Sequence, residues 1–160
     1  SSCDIAELLD KTIELASTNY DLKKKFDFKK ITINRFYDKD MPLIMCESSK
    51  IQQVFLNIFS NGAHAMSQTK DQNPPEFIIK LHHDNHNATI SIKDNGPGIP
   101  DEIRKRIFEP FFTTKAVGIG TGLGLSVSYF IVTDQHKGTM AVESGKDIGT
   151  TFIIKLPVNR

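Results

Sequence analysis

Residues 118–126 read Gly-Ile-Gly-Thr-Gly-Leu-Gly-Leu-Ser and lead directly into an apolar run, residues 127–132, that has the character of a helix. Glycine accepts positive φ and lets a ligand approach the backbone closely. A helix that begins after such a loop directs unpaired N–H groups and the positive end of its dipole at the loop. Phosphate is the usual anion in that position, so the stretch predicts a nucleotide-binding domain.

Two well-known phosphate-binding loops do not fit this stretch. A P-loop requires glycine, four residues and then Gly-Lys followed by Ser or Thr, and a dinucleotide-binding loop requires Gly-x-Gly-x-x-Gly. Counted from any of the first three glycines, the position that needs a further glycine holds Leu123, Leu125 or Val127. The loop therefore belongs to a third kind of phosphate site.

Composition limits the class of protein. The chain has 160 residues, of which 24% are charged, and its formal net charge is +1. This length fits one domain with its own core, and the charge balance gives no reason to expect a nucleic-acid partner. No apolar run approaches the length of a membrane span, and no signal peptide is visible. Cys3 and Cys46 lack metal-type spacing, so we expect two reduced thiols in a cytoplasmic domain, with Cys46 buried.

The hydrophobic pattern predicts helices and strands in mixed order. Helices are expected at residues 5–16, 49–67, 101–107 and 123–133, the first with a capping box from Asp4 to Glu7 and the second capped by Ser48. Strands are expected at residues 29–37, 41–46, 77–83, 88–93, 139–144 and 151–156, several joined as hairpins. This order favours an α/β (α+β) two-layer sandwich, in which a mixed, mostly antiparallel sheet carries helices on one face.

The long second helix carries a row of amides. Gln53, Asn57 and Asn61 are four residues apart and share one face. Such a row is often only the solvated face of a helix, but asparagine is a poor helix former. Its neutral oxygen suits Mg²⁺, which shares oxygen ligands with phosphates. Gly62 costs about 1 kcal/mol relative to alanine in the same helix, which indicates a close neighbour.

Two further segments suggest ligand contacts. Residues 94–98 read Asp-Asn-Gly-Pro-Gly after a predicted strand, and a helix follows instead of a partner strand, although Asn-Gly alone is a hairpin signal. Asp94 can accept a hydrogen bond from an amine such as that of adenine, and the two glycines that follow it let a ring pass the backbone.

Residues 107–115 place three phenylalanines and Lys115 before the glycine loop, either as a core tether or as part of a lid. We expect residues 117–122 to be mobile without nucleotide.

In this order the segments resemble the catalytic ATP-binding domain of sensor histidine kinases, which belongs to the superfamily of gyrase and Hsp90-like ATPases. Asn57 and Asn61 resemble the N box, residues 94–98 the first glycine box and residues 107–115 the F box. Residues 118–126 resemble the second glycine box and residues 149–152 the final Gly-Thr block. One box alone is weak evidence, whereas five in order are specific. The resemblance implies a Bergerat fold that binds ATP with Mg²⁺.

The resemblance also implies residue roles. Asn61 would coordinate Mg²⁺, Asn57 would support the phosphate side as a second catalytic residue, and Asp94 would bind the adenine amine with Thr150 nearby through water. His64 stands where relatives often carry a basic phosphate-contacting residue, and a solvated helix-face histidine is the alternative. The nucleotide-binding set implied in this way is Asn57, Asn61, His64, Asp94, Gly96, Gly98, Ile99, Phe108, Lys115, Gly120, Thr121, Gly122, Leu123, Gly124 and Thr150.

Kinases of this class phosphorylate a histidine on a separate dimerisation domain, in a motif with proline four residues after His-Glu or His-Asp. Only His83 and Asp84 begin such a motif, and Ala88 stands in place of the proline. We therefore expect residues 21–160 to be the ATP-binding catalytic domain and residues 1–20 to be a helical junction to a missing phosphoacceptor domain. The fragment should be a monomer that does not autophosphorylate alone. Its parent should be a homodimer, soluble or membrane-anchored, that serves a response regulator.

The sequence departs from the family pattern at two positions and leaves other functions open. Gly62 replaces the usual alanine, and Lys137 interrupts an expected His-Gly-Gly. ATP-hydrolysing clamps of the same fold carry a glutamate base where this chain has Asn57, and an amide cannot accept a proton from water. A non-catalytic nucleotide-binding regulator and a serine kinase of the anti-sigma type are further alternatives. The five intact boxes argue against a non-catalytic regulator, and the F box and residues 120–126 fit sensor kinases better than the serine kinase.

Overall fold

Seven strands and four helices are seen in the computed structural model, which describes residues 1–18, 28–68, 73–112 and 124–158. The strands are β1 (Ser2–Cys3), β2 (Thr32–Tyr37), β3 (Ile44–Met45), β4 (Glu76–His83), β5 (Asn87–Asp94), β6 (Thr139–Gly145) and β7 (Gly149–Pro157). The helices are α1 (Ile5–Thr18), α2 (Ser48–Ser67), α3 (Asp101–Arg104) and α4 (Gly124–Phe130). A 3-10 turn covers Phe28–Lys30, and a π-helical turn, Ile131–Gln135, follows α4.

One five-stranded sheet has the order β2-β4-β5-β7-β6. β2 runs parallel to β4, and every other neighbouring pair is antiparallel. The expected hairpins β4–β5 and β6–β7 are confirmed, as is the mixed, mostly antiparallel sheet. A separate short pair joins β1 to β3, with Cys3 opposite Ile44. The first residues of the chain are thus packed onto the segment that leads into α2.

Alternation along the strands gives the sheet one buried face. In β5, Ala88, Ile90 and Ile92 are buried, whereas the residues between them are half-buried or exposed. The buried residues of α2, among them Val54, Phe55 and Ile58, belong to the same core, and α1 packs beside α2. This is the expected two-layer sandwich. Within the described ranges, no helix is long and apolar enough to cross a membrane.

Several element ends differ from the sequence-based expectations. Ser48 is the first residue of α2, and Glu47 occupies the N-cap position without a side-chain cap. The backbone N–H of Glu47 instead donates to Nε2 of His136 over 3.1 Å, and Nδ1 of that buried ring lies 2.8 Å from the carbonyl oxygen of Ile131. The α-helix that was expected at residues 123–133 ends at Phe130, and a π-helical turn follows it. This turn places His136 where its ring can bind the backbone at the start of α2.

Other expected elements are shorter than predicted. α3 ends at Arg104, after which Arg106 and Ile107 form hydrogen bonds to the residues three before them, as in a tighter turn. β2 begins only at Thr32, since the preceding 3-10 turn buries Phe28 in the core. At the helix start that was expected to be a capping box, the backbone N–H of Glu7 donates to Asp4 over 3.2 Å. Both cysteines are buried, as expected for Cys46.

Gly62 marks a close approach between α2 and the sheet. A Cβ placed on Gly62 would lie 2.5 Å from Cε1 of Phe77 and 3.2 Å from Oδ2 of Asp94. The Phe77 ring is held by Phe28 and Phe59, with ring centroids 5.9 and 5.2 Å away. The mid-helix glycine therefore provides room for a buried aromatic ring and for the end of β5.

Gly62→Ala is expected to lower the free energy of unfolding. Overpacking a core costs about 1–3 kcal/mol, which exceeds the gain of about 1 kcal/mol in helix propensity. Urea denaturation of both chains measures the difference. The loss should shrink in a Phe77→Leu background, since that change removes the ring atoms that the new methyl group meets. A more stable Gly62→Ala chain would contradict the packing argument.

Candidate nucleotide-binding site

A cavity of about 230 Å³ lies between the second half of α2, the loop after β5 and the start of β7. Its walls combine a few polar groups with an apolar majority, which is typical of sites for small molecules. The lining residues are Asn61, Gly62, His64, Ala65, Gln68, Asp94, Pro97, Gly98, Ile99, Pro100, Ile103, Ile107, Leu125, Thr150 and Phe152. Six of these were predicted as site residues from the sequence: Asn61, His64, Asp94, Gly98, Ile99 and Thr150.

Asp94 is the buried acidic group of this cavity. It is the last residue of β5, pairs with Thr150 on β7 and is 5% exposed. Its Oδ1 accepts a hydrogen bond from the backbone N–H of Gly96 over 2.9 Å, which places Gly96 beneath the cavity wall. Burial raises the pKa of the Asp94 carboxyl to about 6, although hydrogen bonds from the backbone of Gly96 and Thr150 oppose the rise. The site thus holds a strong acceptor that has lost most of its water.

Two glycines with positive φ let the loop after β5 cross the β6–β7 turn at close range. Gly149 has φ +72°, and a Cβ there would lie 2.1 Å from the carbonyl oxygen of Asp94. Gly98 has φ +81°, and a Cβ there would lie 2.3 Å from the carbonyl oxygen of Gly145. Side chains at either position would push the loop away and open the wall of the cavity.

The amides of α2 have two different environments. Asn61 lines the cavity, and its Nδ2 donates to the backbone oxygen of Asn57 over 2.9 Å, so this bond does not use the amide oxygen. Asn57 lies one turn earlier, and its Nδ2 donates to the carbonyl oxygen of Gly124 and to Oγ of Ser128, both over 3.0 Å. Asn57 therefore ties α2 to the first turn of α4.

His64 also faces the cavity from α2. Its Nε2 lies 3.2 Å from Nε2 of Gln68, one turn further along the helix. The imidazole thus stands at the rim, near enough to the cavity to contact an anion there. This position is compatible with the predicted phosphate contact of His64.

Phe108 anchors the segment that was expected to tether a lid. Its ring stacks on Tyr129 of α4 with centroids 4.9 Å apart, and it meets the edge of Phe152 at 6.4 Å. Phe152 in turn lines the cavity. Of the remaining predicted site residues, Gly124 begins α4, whereas Lys115, Gly120, Thr121, Gly122 and Leu123 lie outside the described residues, as does the rest of the predicted lid between residues 113 and 123.

Sequence reasoning missed some residues that shape the site. Ser128 is buried on α4 and binds Asn57, and Ser144 on β6 contacts both the loop after β5 and Thr150. A signal for Ser144 was present in the sequence. Met140 and Val142 are the apolar residues that face the core from this strand, and alternate residues share a face. Residue 144 is the next position on that face, and it carries a polar side chain where an apolar one is expected.

The donor set bears on which metal the site can take. Among the described residues, no three His, Cys, Asp or Glu side chains lie together so as to hold a metal ion. The polar groups near the cavity instead include the neutral amide oxygen of Asn61. One such oxygen fits Mg²⁺, which takes most of its ligands from phosphate oxygens and waters, and does not fit a structural zinc site.

A buried carboxylate at a strand end, an amide-bearing helix above it and a cavity between them define a nucleotide-binding α/β sandwich. Comparison with known proteins agrees with this class. The family model of histidine kinase-, DNA gyrase B- and HSP90-like ATPases matches residues 46–160. Sporulation kinase E of Bacillus subtilis (strain 168) is 41% identical over 121 residues, which cover 76% of this chain and 15% of that protein.

Solved structures of histidine kinases show the same fold. The nucleotide-free catalytic domain of histidine kinase ThkA has a TM-score of 0.80 and 27% identity, with 100% of this chain and 98% of that chain covered. Full-length ShkA in complex with AMPPNP has a TM-score of 0.77 and 25% identity, with 98% of this chain and 30% of that chain covered. The chain belongs to the histidine kinase-, DNA gyrase B- and HSP90-like ATPase family, within which it corresponds to the ATP-binding catalytic domain of sensor histidine kinases.

Asp94→Asn is expected to stabilise the nucleotide-free chain at high pH. A raised pKa means that the folded state favours the protonated carboxyl, so the stability that Asp94 contributes is lost as the pH rises through about 6. Asparagine does not ionise. The variant should therefore gain about 1–3 kcal/mol relative to the parent between pH 4 and pH 8, as measured by urea unfolding.

Asp84→Asn provides a control of opposite sign. The backbone N–H groups of Asn87 and His86 lower the pKa of the exposed Asp84 carboxyl, so ionised Asp84 favours the folded state. Its replacement should lose stability relative to the parent as the pH rises through the range below about 4, since the ordinary pKa of the carboxyl is 3.8, and the difference should stay constant from pH 4 to pH 8. A pH-independent difference between Asp94→Asn and the parent would show that the buried carboxylate carries no ionisation cost.

Proposed function

We propose that this chain is a cytoplasmic domain that binds ATP with Mg²⁺ and transfers the γ-phosphoryl group to a histidine on a separate dimerisation domain of the same kinase. The observation that carries the proposal is the buried acceptor Asp94 in a cavity that Asn61 also lines. The chain spans 15% of the length of sporulation kinase E, so the activity and the partners of a whole kinase are part of this proposal. Membership of the histidine-kinase class supports the choice of a histidine acceptor.

The adenine ring is proposed to lie over the loop after β5, with its amine toward Asp94 and Thr150. Gly96, Gly98 and Ile99 would form the wall beside it. The phosphates would then extend toward Asn61 and His64, which also line the cavity. The complex of the similar kinase ShkA with AMPPNP supports this occupant. Lys115 and residues 120–124 are proposed to close over the triphosphate.

Asn61 would hold Mg²⁺ through its amide oxygen. When bound, the metal would neutralise charge on the phosphates, which is the main electrostatic requirement of phosphoryl transfer. The residues of this chain would orient the nucleotide and exclude water. A neutral imidazole is already a competent nucleophile, so the domain needs no strong base of its own.

Hydrolysis by water is the less favoured reaction. Asn57 stands where the hydrolysing clamps of this fold carry a glutamate, and its amide N–H groups are engaged with Gly124 and Ser128. An amide in that role cannot accept a proton from water. Phosphoryl transfer to a side chain placed by another domain is therefore the reaction that we propose. A non-catalytic regulator that only binds nucleotide is the remaining alternative.

The parent kinase is proposed to be a homodimer that passes the phosphoryl group on to a response regulator. Residues 1–20 would form its junction to the dimerisation domain, and residues 21–160 the catalytic domain. Histidine kinase ThkA forms a complex with response regulator protein TrrA, which supports such a partner for this chain's parent. The isolated chain would be a monomer.

Calorimetric titration with AMPPNP, with and without Mg²⁺, tests the nucleotide site. Asp94→Asn should weaken binding by about tenfold or more, since it removes a buried charged acceptor, and Asn61→Ala should remove the Mg²⁺ dependence. Asp84→Asn and Asn85→Ala, at the exposed β4–β5 turn, serve as matched controls that leave binding unchanged. No binding by the folded parent chain would overturn the proposal.

Phosphoryl transfer is tested by adding the chain to the dimerisation domain of its parent kinase. With γ-labelled ATP, the chain alone should stay unlabelled, and label should appear on the histidine of the added domain. Asn61→Ala should reduce that label strongly. Nucleotide binding without any labelling of the partner histidine would indicate a regulator that only binds ATP.

A further inference from the structure

One row of polar side chains crosses three strands beneath the cavity. Asp94 on β5 pairs with Thr150 on β7, and Thr150 pairs with Ser144 on β6. Asp94 and Thr150 are each 5% exposed, and Ser144 is half-buried. The first two line the cavity, whereas Ser144 stands behind Thr150 and reaches no ligand directly. Any effect of Ser144 on a nucleotide must therefore pass through its neighbours.

Ser144 has three hydrogen-bonding neighbours at close range. Its Oγ lies 2.7 Å from the backbone nitrogen of Ile99, 3.0 Å from the carbonyl oxygen of Gly149 and 2.8 Å from Oγ1 of Thr150. The first contact holds the loop after β5 onto the sheet. The other two join the β6–β7 turn to the side chain that lies beside Asp94.

The number of protons fixes the direction of these bonds. A serine hydroxyl has one proton to donate and two lone pairs with which to accept. The N–H of Ile99 can only donate, and the carbonyl oxygen of Gly149 can only accept, so the Ser144 proton goes to Gly149. Thr150 must then donate its own proton to Ser144. This is the arrangement that satisfies all three contacts.

Thr150 consequently presents an acceptor to the cavity. With its proton directed at Ser144, Oγ1 has only a lone pair left for a ligand, and it lies beside the acceptor oxygens of Asp94. Two neighbouring acceptors match the two N–H donors of an exocyclic amine. A carbonyl group in place of the amine would be a third acceptor facing Asp94 and Thr150. A site discriminates between ligands by such unfavourable contacts as well as by favourable ones.

We propose that Ser144 is a positioning residue that fixes Thr150 as an acceptor and thereby selects 6-aminopurine over 6-oxopurine nucleotides. The inference rests on the proposed function, because it takes the cavity to be the purine site. Ser144 has a second effect, since its bond to Ile99 anchors the loop after β5. Loss of that anchor weakens both kinds of base alike, whereas loss of the Thr150 orientation changes the preference between them.

The test compares ADP and IDP, which differ at purine position 6, in the presence of Mg²⁺. Displacement of a fluorescent ADP analogue gives both dissociation constants for the parent and each variant. Ser144→Ala should reduce the preference for ADP by about three- to tenfold, the value of one net hydrogen bond. Ser144→Thr keeps the hydroxyl and should retain the preference. Ser91→Ala, at a half-buried position of β5, two strands away from β6, is the matched control and should change nothing.

Thr150→Val removes the hydroxyl while keeping the shape of the side chain, and it should reduce the preference as Ser144→Ala does. In the double variant the two effects should not add, since both act through one hydroxyl. Equal losses for ADP and IDP in Ser144→Ala would reduce Ser144 to a loop anchor and overturn the proposal. If Ser144→Ala does not fold, an unchanged preference in Thr150→Val overturns it independently. A folded parent that binds neither nucleotide would instead contradict the proposed function.

Discussion

The burial of the Asp94 carboxylate is the constraint on which the rest of the site depends. A carboxylate at the end of a strand must be enclosed tightly to select a base, yet it must stay open on one side to a ligand. Gly62 allows α2 to approach within contact distance of Asp94 and Phe77, and Gly149 allows the turn after β6 to pass directly over the carbonyl of Asp94. The helix, the loop and the turn are thus placed by the space around one side chain.

This enclosure has an energetic consequence for the nucleotide-free domain. Burial raises the pKa of Asp94 to about 6, so near neutral pH the carboxylate is ionised against the preference of its surroundings. The backbone N–H of Gly96 offsets only part of that cost. A ligand that brings N–H donors to the carboxylate supplies what the empty site lacks, and part of its binding energy comes from relieving this strain. The burial that would let Asp94 select a ligand with N–H donors therefore lowers the stability of the nucleotide-free domain.

Much of this arrangement follows from local sequence, and part of it does not. The hairpins, the long helix, the strand that ends in Asp94 and the close neighbour of Gly62 all have local signals, since periodicity and glycine cost are properties of short segments. The bond between His136 and Glu47 and the bond between Ser144 and Ile99 join residues far apart in the chain, so they form only once strand register and helix ends are fixed. The nucleotide contacts of Asn61, His64 and Asp94 remain predictions that the geometry supports.

Asn57 secures the fold at the position where the proposed function requires an amide in place of a base. Its amide donates to the carbonyl oxygen of Gly124 and to Ser128, whose own hydroxyl lies 2.8 Å from that carbonyl. A glutamate there would place a negatively charged acceptor against another acceptor, and the tie between α2 and α4 would be lost. The base that water attack requires and the amide that holds α4 at the cavity therefore cannot occupy this position together. Since Gly124 ends the glycine segment predicted to cover the phosphates, the amide of Asn57 also fixes where that segment joins the helix.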